Sequence, residues 1–241
     1  EEAVRVVTEA RVPWEFLPDA MLAEPKVWDA LVDTIGMTAL LRNLARMTRI
    51  GALTPGGDAT RRAVARLTDQ EAILRARIHP MDVFLALRVY ASGRSQPSPR
   101  VVHTWRPIRA IRHALEKAYE LSFGAVEPSG KRLLVAVDSS GSMNGYMYTD
   151  VTVAGSRIGS PYEVACAMAV MLARIEGDNV RVIEVDTEVH PSRVTPHTKL
   201  RRISSWRPSG GGTDLSLPFT WAREQRLEVD GIVVLTDNET W

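Results

Sequence analysis

The sequence predicts a chain in two parts, an all-α stack of the solenoid type followed by an α/β part built on a mostly parallel sheet with helices on both faces. Three observations carry this. Up to about residue 124, apolar residues recur at helical spacing, with short breaks and no strand-like runs. Beyond it, apolar runs of strand length alternate with helical segments, the order expected of a parallel sheet. The charge changes too: from Arg42 to Arg112 there are 14 Arg, no Lys and 4 Asp or Glu, whereas Lys131 to the end holds 12 basic against 14 acidic residues. The boundary falls near residue 129, giving a helical part over 1–128 and an α/β part over 129–241.

In the first part, "EPKVWDALVDTI" reads as a helix, and "GMTALLRNLARMTRIG" as an amphipathic one. Met37, Leu40, Leu41, Leu44 and Met47 follow the i, i+3, i+4, i+7 pattern. Arg42, Arg46 and Arg49 fall at spacings of four and three, so they can line up along another face. "DATRRAVARLTDQEAILRAR" and "HPMDVFLALRVYASG" continue the succession. "GRSQPSPRVVHTW", residues 93–105, is rich in Ser, Pro and Gly and reads as a loop. "RPIRAIRHALEKAYELSFG" has Pro107 near its start and Gly124 past its end, the usual punctuation of a helix. No clean repeat is visible, so the solenoid rests on helix succession alone.

In the second part, "RLLVAV" reads as a strand, "PYEVACAMAVMLARIEG" as a helix and "VRVIEVD" as a strand. A polar stretch runs to "RPSGGGTD", followed by helix "LSLPFTWAREQRL" and strand "GIVVLTD". The composition, 241 residues with 45% hydrophobic and 24% charged, suits a soluble globular protein of one or two domains. No apolar run approaches the roughly 20 residues of a membrane helix. The chain starts without Met and stops just after a strand, so part of a longer polypeptide is expected. A lone Cys166 in an apolar helix reads as a packed core thiol and fits a reducing, cytoplasmic setting.

The strand Leu133–Val137 runs into "DSSGSMNG", which crowds small oxygen donors onto its C-terminal tip, where open α/β sheets bind ligands. Asp138, Ser140 and Ser142 stand in the spacing D-x-S-x-S. Thr213 follows in "GGGTD" and Asp237 in "VVLTDNE". Each piece has a plain reading: a helix cap or Asx turn, a flexible loop, a strand end. All three in order, each at the expected position, point instead to a metal site. Carboxylates and hydroxyls without His or Cys suit a hard cation such as Mg²⁺. "GAVEPSGKR" departs from a phosphate-binding P-loop. It has five residues between Gly124 and Gly130, Arg132 where Ser or Thr is needed, and the wrong side of its strand. His190 and His197 are too isolated to argue a ligand pair.

"DSSGSM", "GGTD" and "LTDNE" resemble the metal-ion-dependent adhesion site of von Willebrand factor A domains. That resemblance implies a doubly wound sheet and Mg²⁺ (or Mn²⁺) held by Asp138, Ser140, Ser142 and Thr213, with Asp237 direct or through water. It also implies an acidic partner completing the coordination. "VPWEFLPDAMLAEPKVWDALVDTIGMTALLRNLARMTRIGAL", "IHPMDVFLALRVYASG", "WRPIRAIRHALEKAY" and "TDNETW" resemble the Ro ribonucleoprotein family, whose TROVE domain is a ring of HEAT-like repeats preceding such an A domain. The resemblance points to a bacterial member. It implies binding of small noncoding Y RNAs and of loose ends of misfolded RNA, with an exoribonuclease as a possible partner.

Arg42, Asn43, Arg46 and Arg49 on one helix, with Arg62 and Arg66 one turn apart, are the candidates for RNA phosphates. Ordinary exposed charge on solenoid helices is the alternative, and the sequence leaves it open. Trp14, Trp28 and Trp105 could stack bases, but core packing is the better reading. The expected function is a noncoding-RNA scaffold with no catalytic residue and neither a membrane nor a DNA partner. The second reading is a metal-dependent protein-interaction module whose arginines are incidental. An enzyme is not expected, since no base is evident beside the oxygen-rich site.

Overall fold

The computed structural model describes Arg5, Val7, residues 12–145 and residues 150–237. The end of the closing motif, from Asn238 to Trp241, lies outside these. The chain divides into two compact units, Glu1–Val126 with Val153–Ser156, and Glu127–Thr152 with Arg157–Trp241.

The first unit is built on seven helices among the described residues: α1 Asp19–Leu22, α2 Pro25–Leu31, α3 Met37–Arg49, α4 Asp58–Leu67, α5 Gln70–Arg75, α6 Pro80–Ser92 and α7 Arg109–Ser122. The apolar stripe predicted for α3 is buried: Met37, Leu40, Leu41, Leu44 and Met47 all face the core, while Arg42 and Arg49 stay exposed. Helix α3 packs against α6, and α7 packs against α4, α5 and α6. Tyr90 joins three segments: its hydroxyl bonds Thr48 Oγ1 at 3.0 Å and accepts from Ile108 N at 3.1 Å, and its carbonyl accepts from Trp105 Nε1 at 2.9 Å.

Two expectations are corrected here. The single helix read over "DATRRAVARLTDQEAILRAR" is two, because Asp69 caps a new start by accepting from Ala72 N at 3.0 Å. The segment read as a loop, residues 93–105, forms an antiparallel hairpin of β1 Arg94–Ser98 and β2 Val101–Thr104. Its register shifts between Ser95 and Ser98, where Pro97 has no N–H to offer the ladder. Gln96 N donates to Gly155 O at 2.8 Å, and a Cβ at Gly155 (φ +74°) would lie 2.3 Å from Gln96 C, so only glycine fits that approach.

The second unit holds β3 Leu133–Asp138, β4 Val151–Val153 and β5 Ser156–Gly159 (Val153 and Ser156 being counted with the other unit), α8 Pro161–Glu176, β6 Val180–Val185, β7 Val189–Pro191, α9 Leu200–Ile203, α10 Leu217–Glu224 and β8 Gly231–Leu235. The main sheet has the order β7-β6-β3-β8, with β3 parallel to both β6 and β8, and β7 antiparallel at the edge. This bears out the mostly parallel α/β reading. Leu134 and Ala136 pack with Ile183, Val185 and Ala222 of α10. By strand alternation Val135 and Val137 face the other side, and α8 packs on β3 and β6. Helix α8 starts with a reciprocal cap: Glu163 N donates to Ser160 Oγ at 3.2 Å and Ser160 N to Glu163 Oε2 at 3.1 Å. The turn that departs from a P-loop is already closed by an anion of the protein itself, since Ser129 N and Gly130 N donate to the Glu176 carboxylate at 2.8 and 3.0 Å.

Cys166 lies buried in α8, and burial, with the Glu184 carboxylate nearby, pushes its thiol up to about 12. Too little thiolate then exists near neutrality for reaction. Iodoacetamide at pH 8 should leave Cys166 unmodified in the folded protein and alkylate it fully in urea, read by intact mass. Rapid labelling without denaturant would contradict this packing.

Candidate metal centre and nucleic-acid interface

Because β3 lies between two parallel neighbours, the C-terminal ends of three strands come level. Asp138 pairs in register with Val185, and Val137 with Leu235, so Asp138, Asp186 and Thr236 gather at one end of the sheet. Asp138 is fully buried. One carboxylate oxygen accepts from Ser140 N at 2.9 Å and the other from the Thr236 hydroxyl at 2.7 Å. Ser140 Oγ and Ser142 Oγ are 3.2 Å apart, so the D-x-S-x-S spacing does turn its three side chains into one cluster. Asp237 follows Thr236 directly and is half-buried.

The glycine-rich loop is fastened to the same place. Gly141 N donates to Gly211 O at 3.1 Å, and Gly210 N to Ser139 O at 2.9 Å. Gly210 and Gly211 hold φ of +94° and +89°, a region that side chains disfavour, which is why the loop is written in glycine. Asp214 N donates to Asp186 O at 2.9 Å, so buried Thr213 is anchored on both sides. The structure thus brings together the segments that carry all five residues expected of the metal site.

Sequence reasoning missed the layer beneath. Ser139 Oγ lies 2.8 Å from Ser209 Oγ, and Ser209 donates to Asp186 Oδ2 at 2.6 Å. Asp186 also accepts from Glu188 N at 2.8 Å and faces His190 Nε2 at 3.0 Å. Burial pushes the Asp186 carboxyl up, but Ser209, His190 and Glu188 N together outweigh it and hold it below its ordinary range. A carboxylate at the tip of a second parallel strand was the available signal, in the same position relative to β6 as Asp138 is to β3.

Do these residues fit a divalent cation? Among the described residues no three His, Cys, Asp or Glu side chains cluster tightly enough to hold a metal on their own, so a cation here depends on the hydroxyls. Asp138 receives hydrogen bonds only from neutral donors, and no Lys, Arg or His side chain pairs with it among the described residues. A buried carboxylate without a counter-charge is costly. A hard cation bound by oxygen would offset that cost, so the residues fit one.

In the first unit, the six RNA candidates divide by environment. Arg42 and Arg49 are exposed on α3 and make no ion pair among the described residues. Arg46 is partly buried, its guanidinium 5.6 Å over the Trp28 ring and 3.6 Å from Asp19. Asn43 is buried, and its amide donates to Ala39 O at 2.9 Å, one turn back. Arg62 pairs with Asp29 at 2.5 Å and with Asp33. Arg66 donates to Val32 O and Ile35 O, each at 2.6 Å, at the end of α2, and burial lowers its pKa from the ordinary arginine value. Arg62 and Arg66 therefore tie α4 to the residues around α2. Trp28 is fully buried, and Trp105 is half-buried with its N–H bonded inside, as core packing requires.

Comparison with known proteins joins the two units. Residues 5–99 match the model of the TROVE domain, and residues 132–241 that of the Ro60 vWA domain. A Deinococcus radiodurans protein named RNA-binding protein RO60 is 40% identical over 242 residues, covering 99% of this chain and 44% of that protein. A Caenorhabditis elegans protein of the same name is 37% identical over 232 residues, covering 94% and 34%. The crystal structure of the D. radiodurans RO (RSR) protein superposes with a TM-score of 0.85 at 40% identity, covering 100% of this chain and 47% of that one. The chain spans less than half the length of these relatives. A helical unit that matches the TROVE domain, followed by an A-type unit that matches the Ro60 model, places this chain in the Ro ribonucleoprotein family.

Proposed function

We propose that this chain is part of a non-catalytic RNA-binding protein of the Ro type, a scaffold for small Y-like RNAs and for single-stranded ends of misfolded RNA. The observation that carries this reading is 40% identity, across 99% of the chain, to a protein named for RNA binding. The physical support is the surplus of arginine in the helical unit. On α3, exposed Arg42 and Arg49 offer guanidinium groups to phosphates irrespective of base sequence. Arg46 stands between them, and Asn43, Arg62 and Arg66 brace the surface from within.

Asp138, Ser140, Ser142, Thr213 and Asp237 would hold Mg²⁺ or Mn²⁺. When bound, such an ion offers a coordination position to an outside oxygen, and an acidic protein such as an exoribonuclease is the partner this chemistry suits. The lone buried thiol agrees with work in the cytoplasm.

The test is RNA affinity of the intact protein over a series of salt concentrations, using RNA with a single-stranded end. Log K should fall linearly with log salt. Arg42→Ala with Arg49→Ala should weaken binding about tenfold and make the slope shallower by about two, one per lost phosphate contact. A flat salt response, or no affinity for such RNA, would remove the reading.

A further inference from the structure

The acidic character of the α/β unit conceals one segment of opposite sign. From His190 to Thr213 there is no Asp or Glu, but there are Arg193, Lys199, Arg201, Arg202 and Arg207, with His190 and His197. The rest of residues 131–241 carries 7 Lys or Arg against 14 Asp or Glu. So dense a segregation of charge is unlike a generally solvated surface, where signs mix.

The structure makes this segment compact. Helix α9 is one turn anchored by buried Ile203, and the chain folds back as Ser205 N donates to Arg202 O at 3.1 Å and Trp206 N to Ile203 O at 2.9 Å. Arg207 places its guanidinium on Ser204 O and Trp206 O, at 3.2 and 2.7 Å. Arg193 reaches across to Arg207 O at 2.8 Å and lies 5.1 Å over the Trp206 ring. The acidic group nearest to Arg193 is Glu184, 3.7 Å away, buried and already accepting from Tyr162, Ser192 and Arg193 N. Arg201, Arg202, Arg207 and His197 are exposed, and Arg201 and Arg202 make no ion pair among the described residues. Two residues after Arg207 the chain enters Ser209–Thr213, the loop fastened to the metal centre.

We propose that this segment is a second RNA-contacting surface, on which Arg201, Arg202 and Arg207 bind the phosphates of a single strand beside the metal centre. The inference rests on the RNA-binding reading above and adds a contact that the helical unit does not supply. RNA is favoured over an acidic protein because none of the exposed large hydrophobic side chains among the described residues (Phe16, Val101, Val102, Phe219) belongs to the segment. A protein interface needs an apolar centre, whereas a polyanion needs only placed cations. Arginine forks suit phosphate oxygens, and a hard cation held by the adjoining Ser209–Thr213 loop would bind the same atoms.

The experiment uses the intact protein with a single-stranded oligouridylate carrying 4-thiouridine, cross-linked by light and mapped by mass spectrometry. Cross-links should appear on residues 199–207. In Arg201→Ala with Arg202→Ala these should vanish, affinity should fall about tenfold, and the slope of log K against log salt should become shallower by about two. Both side chains are exposed, so the melting temperature should not move. Unchanged affinity and slope would overturn the proposal. So would loss of poly-glutamate binding with RNA binding intact, which would assign the segment to an acidic protein. Cross-links confined to α3 would overturn this proposal and leave the Ro-type reading standing. Cross-links confined to 199–207 would do the reverse to Arg42 and Arg49, and none anywhere would remove both.

Discussion

Asp138→Asn should abolish the response of the protein to divalent cations. In the parent, Mg²⁺ or Mn²⁺ at a hundred times its dissociation constant should stabilise the fold by about 2.7 kcal/mol, and the variant should show no shift. The reason is electrostatic. Asp138 is fully buried and, among the described residues, receives only Ser140 N and the Thr236 hydroxyl, so a bound cation would supply its counter-charge. Asparagine keeps the shape and an acceptor oxygen but removes that charge. Loss of a ligand carboxylate should lower cation affinity more than 100-fold, beyond the 10–100-fold typical of the groups that merely orient ligands. Without cation, the variant should be at least as stable as the parent, because an uncompensated buried charge has gone. Calorimetric titration with Mn²⁺ and thermal melts with and without it provide the check. Retention of the cation shift in Asp138→Asn would show that these oxygens are not the site.

That the segments of this candidate centre were legible in the sequence, and much of their bracing was not, follows from where the information lies. Asp138, Ser140 and Ser142 are close in sequence at the end of β3, and Asp237 follows the parallel strand β8, so strand ends were enough to place these four, whereas Thr213 stood out only by the glycine-rich motif of the loop before α10. The bracing by Ser139, Ser209 and Asp186 depends on a contact between residues 70 apart, which no local pattern encodes. The helices of the first unit were legible for a similar reason: the stripe from Met37 to Met47 states which side is buried. The β1–β2 hairpin was not. "RSQPS" carries no strand propensity, and its pairing is imposed by tertiary context such as the close approach of Gly155 to Gln96. Edge strand β7, three residues ending in Pro191, is equally silent in sequence. Guanidinium groups are the least legible. Arg42 and Arg66 are the same residue type on neighbouring helices, yet one is exposed and the other holds two carbonyls, a difference set by the chain around α2.

The same distinction applies to tryptophan, and Trp28→Ala should be the most damaging single change in the helical unit. Trp28 is fully buried in α2, its indole N–H donates to Leu22 O at 2.8 Å, and its ring lies 6.1 Å from that of Trp14. On its other contact, the Arg46 guanidinium sits 5.6 Å from the ring centre. Truncation removes this packing, opens a cavity and leaves the Leu22 carbonyl unpaired, for a loss of about 3–5 kcal/mol. Trp28→Phe keeps a ring and loses the N–H bond, so about 1–2 kcal/mol should go. Urea unfolding followed by circular dichroism measures both. If Trp28 instead stacked on bases, alanine would spare stability and cut RNA affinity, whereas a core residue does the opposite: the folded Trp28→Phe protein should bind RNA as the parent does. Of the α3 arginines only Arg46 rests on the Trp28 ring, while exposed Arg42 and Arg49 are presented by the helix's own buried stripe from Met37 to Met47.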